Sequence, residues 1–479
     1  MSFFLGIDLG TSYFKAGIFD ENGKLHGLGR HPVEKSGYGG SVCELEVAVF
    51  WKTLRLCIRY AMKEANISSN KIQALSYSSQ ANSFLLLDES DNPLTPLILW
   101  SDERAEDGSA QVQTLLKKTD FLYKTGLGIS PGKHSLIAKI GWFQKQQPYI
   151  WEKVRSIMSI SDYLTFTLTG NRISDVSTSS MTGLLNVPEG RWWQEATDIF
   201  NIEKTHLPTL LKMGSLVGNL TEKGAGLIGL SPDTNMFSGG LDHHMVAIGA
   251  GLPRLNYISE STGTVLACVN CQKEYKPRIG VNISQGVDDS HYFQMAFNAN
   301  GAIVLEWYQS NYAPALSIPQ LLALAETIAP GCEGLVAKSS ANEYMDLKGF
   351  INVKKRYTHG HFVRAILEST GLSLDGLVKK LDGTDAQAIV PSGGGARSRL
   401  WLQIKADILD RPFLLPESGE LACKGAAMLC RVGMSRFKNM DEVMESQMAF
   451  TETIYPDPVE MEKYKNWSKD IKNKELWED

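Results

Sequence analysis

Apolar residues recur at every second position from the start of the chain: Phe3, Leu5, Ile7 and Leu9, then the run Ala16-Gly17-Ile18-Phe19, then Leu25 and Leu28. A period of two is the signature of strands, so the chain is expected to open with antiparallel β-structure. The Asn-Gly pair in Asp20-Glu21-Asn22-Gly23 favours the positive φ angles of a hairpin turn. From Glu44 to Ala65 the spacing changes to three and four, through Val47, Phe50, Trp51, Leu54, Ile58, Ala61 and Met62, which predicts a helix packed on a core along one stripe. Ile72 to Ser78 and Ser83 to Leu87 read as short strands on either side of the polar insert Ser79-Gln80-Ala81-Asn82. A second β-rich opening runs from Tyr257 to Val269 with a glycine turn in its middle. Between the two openings, glycine density rises from Gly239 through Gly251 and Pro253 closes the segment. A boundary is expected near Gly251, giving an N-terminal domain 1–250 and a C-terminal domain 251–479. The segment 440–479, rich in Lys, Glu and Asp with Trp467 and Trp477, is expected to form one or two peripheral helices.

Length agrees with that division, since 479 residues exceed the roughly 150 of a typical domain. Apolar residues at 43% and charged residues at 21% describe an ordinary globular chain. Lys and Arg number 48 against 53 Asp and Glu, a net charge of −5, which supplies no basic field for nucleic acid or anionic lipid. Seven cysteines suit a reducing compartment better than a disulfide scaffold. With no basic, apolar leader and no apolar run near the ~20 residues of a bilayer helix, a cytoplasmic location without a membrane partner is expected.

Chemistry enters at the turns. Asp8-Leu9-Gly10-Thr11-Ser12, with Lys15 following, can form a phosphate cradle: Gly10 admits a bulky anion, Thr11 and Ser12 offer donors, and Asp8 can hold hydrated Mg²⁺. Ser261-Thr262-Gly263-Thr264 repeats the Gly-Thr chemistry in the second β-rich opening, and a plain turn is the alternative reading of each. Gly393, Gly394 and Gly395 follow the apolar strand Ala388-Ile389-Val390 and precede Ser398 and a helix through Gln403, a placement that suits a nucleotide at a helix N-terminus. The spacing is not that of a Rossmann fingerprint. Asp242, in Gly239-Gly240-Leu241-Asp242-His243-His244, suits a general base and equally a helix N-cap. Trp100 offers a flat face for sugar C–H groups, and Asp102 with Arg104 can bond neighbouring hydroxyls or form a surface ion pair. Cys268 and Cys271 read as two reduced thiols. His243 and His244, adjacent and without further ligands, do not read as a metal site, and His359 and His361 mark the entry to a core helix.

The order of these motifs resembles the FGGY carbohydrate kinases, relatives of actin, the heat-shock ATPases and hexokinase. The resemblance runs from Leu5 to roughly Arg431, through the turn at Asp8, Trp100-x-Asp102-x-Arg104, Asp162-Tyr163 with Leu168-Thr169-Gly170, Gly239 to Asp242, Gly360-His361 to Glu368, the triple glycine and Gly425-Ala426-Ala427. It implies an α/β fold of two ribonuclease-H-like (actin-like ATPase) domains flanking a deep catalytic cleft, with ATP held mainly by the second domain and sugar by the first. It implies Asp242 as base, Asp8 and Asp242 as Mg²⁺ ligands, and Asp8, Gly10, Thr11, Ser12, Lys15, Gly263 and Thr264 around the phosphates. Gly393, Gly394, Gly395, Ser398 and Gln403 would border the adenosine, and Gln80, Asn82, Trp100, Asp102, Arg104, Asp242 and His243 the sugar. Xylulokinases usually carry Gln-Met-His-Gly where this chain has Gln80-Ala81-Asn82-Ser83, and His243 stands where a small or amide residue commonly follows the base. Glycerol kinases place Arg-Glu after that glutamine, which disfavours glycerol here. The expected activity is ATP-dependent phosphorylation of a sugar hydroxyl, a ketose such as xylulose first, with another polyol, a sugar acid such as gluconate, or a non-catalytic nucleotide clamp as alternatives. The expected partner is a small-molecule sugar, and the candidate assembly a homodimer.

Overall fold

A computed structural model of the chain describes residues 2–37, 41–254, 256–338 and 349–473; Trp477 of the expected C-terminal helix lies outside them. Two compact units divide the chain. The first comprises Met1–Arg254, Cys271–Gln294 and Glu420–Gln447; the second comprises Leu255–Asn270, Met295–Gly419 and Met448–Asp479.

In the first unit, β1 (Phe3–Leu9), β2 (Tyr13–Asp20) and β3 (Leu25–Pro32) form the expected antiparallel set, and α1 (Val47–Ala65) follows. Further strands are β4 (Ile72–Ser79), β5 (Leu216–Asn219), β6 (Asn235–Phe237) and β7 (Gly240–Leu241), giving the order β5-β6-β4-β1-β2-β3 with β7 also paired to β4. The helix α2 (Asp242–Gly249) leaves directly from β7. Only Gly23 adopts positive φ in the first hairpin turn; its N–H bonds the Asp20 carbonyl, while the Asp20 carboxylate accepts from the Asn22 and Lys24 amides. The expected Asn-Gly geometry is therefore replaced by one that an aspartate side chain organises.

Every residue of β1 is buried, so alternation there separates two covered faces instead of core from solvent. Phe3, Leu5, Ile7 and Leu9 share a core with Leu54, Cys57 and Ile58 of α1. Phe4 packs with Cys423, Ala427 and Cys430 of the helix Leu421–Gly433, on the other face. Gly6 shares that second face, where a Cβ would lie 1.9 Å from the Cys423 carbonyl oxygen, so any larger residue would force strand and helix apart. Each Leu or Phe so buried contributes roughly 1.5–3 kcal/mol. Asp8 falls on the same face by the same alternation.

The second unit repeats the plan. β8 (Tyr257–Thr262), β9 (Leu266–Gln272), β10 (Tyr292–Asn298), β11 (Ala388–Ser392), β12 (Phe413–Pro416) and β13 (Phe450–Ile454) lie in the order β10-β9-β8-β11-β12-β13. The helix α3 (His359–Lys380) starts with a Thr358–His361 capping box, α4 (Arg399–Leu409) follows the triple glycine, and α5 (Pro458–Asn473) ends the described chain. The C-terminal segment thus holds a strand, β13, as well as helices. Its Tyr464 is buried and bonds Arg364 and Glu368 of α3, so α5 is fastened to the unit. No disulfide joins the seven cysteines, six of which are buried. Among the described residues no helix is long and apolar enough to cross a membrane.

Candidate active site

Register assembles the first unit's chemistry. Asp8 of β1 pairs with Ser78 of β4, and Ser78 pairs with Gly240 of β7. All three strands are parallel there, so the turn after Leu9, Gln80 and Asp242 emerge together at the strands' carboxyl ends, where ligands of open α/β sheets bind. Asp8 Oδ1 accepts from the Ser78 hydroxyl at 3.0 Å, and Oδ2 lies 3.6 Å from Lys15 Nζ. Lys15 is also 2.8 Å from Glu420, which precedes the helix Leu421–Gly433. Burial raises the Asp8 pKa, with the charges of Asp242 and Glu420 adding to it and Lys15 and the Ser78 hydrogen bond opposing. Burial alone would lower Lys15, but Asp8 and Glu420 overcome it and hold the ammonium charged.

Asp242 is the first residue of α2, half-buried, with Leu241 rather than the aspartate at the N-cap position. Its Oδ1 accepts the His243 amide at 2.7 Å. His244 is buried, stacks on Phe293 at 4.8 Å, and is pushed down to about 3 by burial and the neighbouring His243, so it is neutral.

Several residues expected to touch sugar are committed elsewhere. The Gln80 amide donates to the Leu9 and Gly10 carbonyls at 3.3 Å and accepts from Ser83, so it braces the turn after β1. Asn82, at φ 59°, accepts the Leu136 amide. Asp102 has no exposed surface: its oxygens take the Cys43 amide at 2.7 Å and the Arg104 guanidinium at 2.8 and 2.9 Å. Arg104 also pairs with Glu44 and lies over Trp142. This corrects the expectation that Asp102 bonds sugar hydroxyls, because every lone pair that could do so is enclosed. Of the sugar-facing candidates, Gln80 and Asp102 are buried, whereas Asn82, Trp100, Arg104, Asp242 and His243 keep accessible surface, Asn82 and Arg104 with polar groups already bonded within the protein. Trp100 Nε1 donates to Thr11 Oγ1 at 2.8 Å, which joins the indole to the phosphate turn. Beneath it, fully buried Lys139 donates to the Leu99 and Trp100 carbonyls at 2.7 and 3.0 Å, and burial lowers it to about 7. Ser12 is exposed at the turn and Gly10 partly so.

In the second unit, Ser261 of β8 pairs with Ser392 of β11, so the two glycine turns leave parallel strands side by side. Gly393 has φ 77°, and a Cβ there would meet the Thr262 carbonyl at 2.7 Å, so only glycine fits on both counts. Gly263 is open around its Cα and Thr264 is exposed, as are Gly393 and Gly394, whereas Gly395 is buried against Thr262. Ser398 caps α4 by accepting the Trp401 amide, and the Gln403 amide donates to Asp407 and to the Tyr455 carbonyl; both are fastened within the unit. Lys405 and Glu260, each fully buried and 2.8 Å apart, lie under the turn with Thr262 bonded to both. Sequence reasoning missed this pair, Lys139 and Ser177; a lysine inside an apolar helix stripe was the available signal for the two lysines. Ser177 gave none.

Solved structures share this architecture. A ligand-bound xylulose kinase from Lactobacillus acidophilus is similar at TM-score 0.87, covering 99% of this chain and 98% of that one at 22% identity. A gluconate kinase from the same organism is similar at TM-score 0.87 and 22% identity, with 98% of both chains covered. The fold is thus the two-domain, actin-like α/β architecture of sugar-phosphorylating enzymes. A xylulose kinase from Lactococcus lactis is 26% identical, over 99% of this chain and 97% of its own. The N-terminal domain model of the FGGY family of carbohydrate kinases matches residues 3–249 and the C-terminal one residues 287–434. The chain belongs to that family and is a sugar kinase, and the family uses ATP.

Proposed function

We propose that this kinase transfers the γ-phosphoryl group of ATP to a hydroxyl of a ketose, xylulose first, with Asp242 taking the hydroxyl proton. The observation that carries the proposal is the register of Asp8, Ser78 and Gly240, from which two carboxylates and a glycine turn follow at one sheet edge. The curated relatives include a gluconokinase from Bacillus subtilis, 27% identical, so a sugar acid is the second acceptor class. Asp242 has accessible surface and, among the described residues, a second oxygen without a hydrogen-bond partner beside the one that holds the His243 amide, as a base within reach of a substrate hydroxyl needs. Trp100 would stack on the sugar's C–H face, and His243 would stand at its rim. Gly10, Thr11, Ser12 and Lys15 would meet the phosphates from the first unit, and Gly263 and Thr264 from the second. Gly393, Gly394 and Gly395 would leave room for the adenosine. The proposed N-terminal domain, 1–250, carries the sugar and the first phosphate turn, and the domain 251–479 the nucleotide.

Mg²⁺ fits the residues present. It binds through one or two carboxylates plus substrate phosphates and water, and Asp8 and Asp242 are such a pair, the Asp242 charge disfavouring that of Asp8 until a cation joins them. Among the described residues no group of three or more His, Cys, Asp or Glu forms a closed metal site, which suits an ion that arrives with its nucleotide. When bound, the ion would neutralise charge on the phosphate oxygens during transfer. Lys15 would add a fixed positive charge beside it.

A coupled ADP-release screen over pentuloses, hexuloses, polyols and aldonates tests the acceptor, and Asp242→Asn tests the base. The variant should lose about 10²–10⁴ in kcat. Fastest turnover with an aldonate would replace the ketose reading, and near-normal turnover in the variant would remove Asp242 from the chemistry.

A further inference from the structure

One hydroxyl grips the chain on both sides of Asp242. Ser177 Oγ accepts the Leu241 amide at 3.0 Å, immediately before the aspartate, and bonds His244 Nδ1 at 2.8 Å, two residues after it. Ser177 sits in the short helix Val176–Ser179, which Asp175 caps by accepting the Thr178 amide at 2.6 Å. Asp175 also accepts from the Tyr77 hydroxyl on β4, at 3.0 Å, so the serine is tied back to the sheet whose edge carries the site. Ser177 and His244 are both buried, and Phe293 covers the imidazole face. With the Leu241 amide donating to it, the serine keeps its own proton to give to Nδ1 in the tautomer that carries the imidazole proton on Nε2. Ser284 Oγ stands 3.4 Å from the same Nδ1.

Resting on Asp242 as the base, we propose that Ser177 and His244 are positioning residues for it: their bond sets the entry of α2, and with it the direction in which the Asp242 carboxylate leaves the helix. Neither side chain has the accessible surface to meet sugar or ATP. Their contribution falls on the step in which the carboxylate must lie within hydrogen-bond reach of the attacking hydroxyl, and a misplacement of about 1 Å can cost 10²-fold there. A residue that merely filled space would affect stability without selecting kcat.

The test uses the full chain with ATP and the acceptor of highest turnover among the ketoses, polyols and aldonates. Ser177→Ala and His244→Phe, the latter keeping a ring against Phe293 without the acceptor nitrogen, should each lower kcat about 10- to 100-fold. The KM for sugar and for ATP should stay within about twofold, and the urea midpoint close to the parent's. His244→Asn, whose Oδ1 can replace Nδ1 as acceptor, should recover most of the lost kcat. Normal kcat in Ser177→Ala and His244→Phe overturns the proposal, as does equal impairment of His244→Asn and His244→Phe. If Ser177→Ala does not fold, the two His244 variants decide. Asp242→Asn measured alongside separates the failures: an active Asp242→Asn removes the base and this inference with it, whereas an inactive Asp242→Asn beside a normal Ser177→Ala removes the inference alone.

Discussion

In each unit the first strand pairs antiparallel with the second and parallel with a later one, and each opens a Gly-Thr turn from that first strand, yet they place their acids oppositely. In the first unit Asp8 stands two residues before Gly10, buried beside the turn, with its carboxylate bonded to Ser78 and 3.6 Å from Lys15. In the second, Glu260 stands three residues before Gly263, and the shift by one turns it to the other side of the strand, into the core against Lys405. One residue of register therefore separates the acid proposed to meet a ligand from one that braces the turn from below. Neighbouring acids follow suit. Asp162 and Asp175 of the first unit are buried among hydroxyls and amides, whereas Glu368 of the second is buried against Arg364. Asp162 and Asp175 are thus buried with no cationic partner among the described residues, and Glu260 and Glu368 with one each.

That contrast is open to direct attack. Asp8→Asn should lower kcat about 10²–10³-fold while leaving the urea midpoint unchanged or raised, because burial already disfavours the carboxylate. Full activity in this variant would erase the difference between the two acids. Lys405→Met should lose about 3–5 kcal/mol in urea unfolding by stranding Glu260, and Glu260→Gln added to it should restore much of the loss. A small effect of Lys405→Met would show that the second unit does not depend on its pair.

A pH series compares the uncancelled acids. Burial raises Asp175 to about 7, so its carboxyl is neutral in the fold over a range where the unfolded chain ionises. Its contribution to stability is complete below the unfolded value near 4 and lost as pH rises through about 7. Asp175→Asn, which can keep the Thr178 cap, should gain stability relative to the parent on going from pH 5 to pH 8, read as the difference in urea midpoints. A constant difference would contradict the assignment. The smallest effect belongs to Gln403→Met, which should cost about 1 kcal/mol through the lost bonds to Asp407 and Tyr455 and leave the KM for ATP within twofold. A large rise in that KM would return Gln403 to the nucleotide.

The pattern of apolar positions located β1, α1, β4 and β8 to within a few residues, since periodicity is a property of consecutive positions. It did not reveal β13, Phe450–Ile454, whose five residues with an acid at the centre are too short for periodicity to decide and for which pairing with β12 supplies the strand. Nor did it reveal that Glu420–Gln447 returns to the first unit, where Leu421–Gly433 closes the second face of β1. The glycine turns were legible because few residues tolerate close backbone approach, as at Gly393.

By itself the sequence determined the strand and helix starts, the turns that only glycine permits, and the order of acids, hydroxyls and aromatic residues that marks the chain as a sugar kinase. Only the tertiary structure decided which of those polar groups remain available. Asp102 is closed off by Cys43, 59 residues away, and Lys405 meets Glu260 across 145 residues. Such partners are chosen by packing between distant segments. A carboxylate that reads as reactive in one dimension is thus, in three, either a ligand or a brace, according to who has reached its oxygens first.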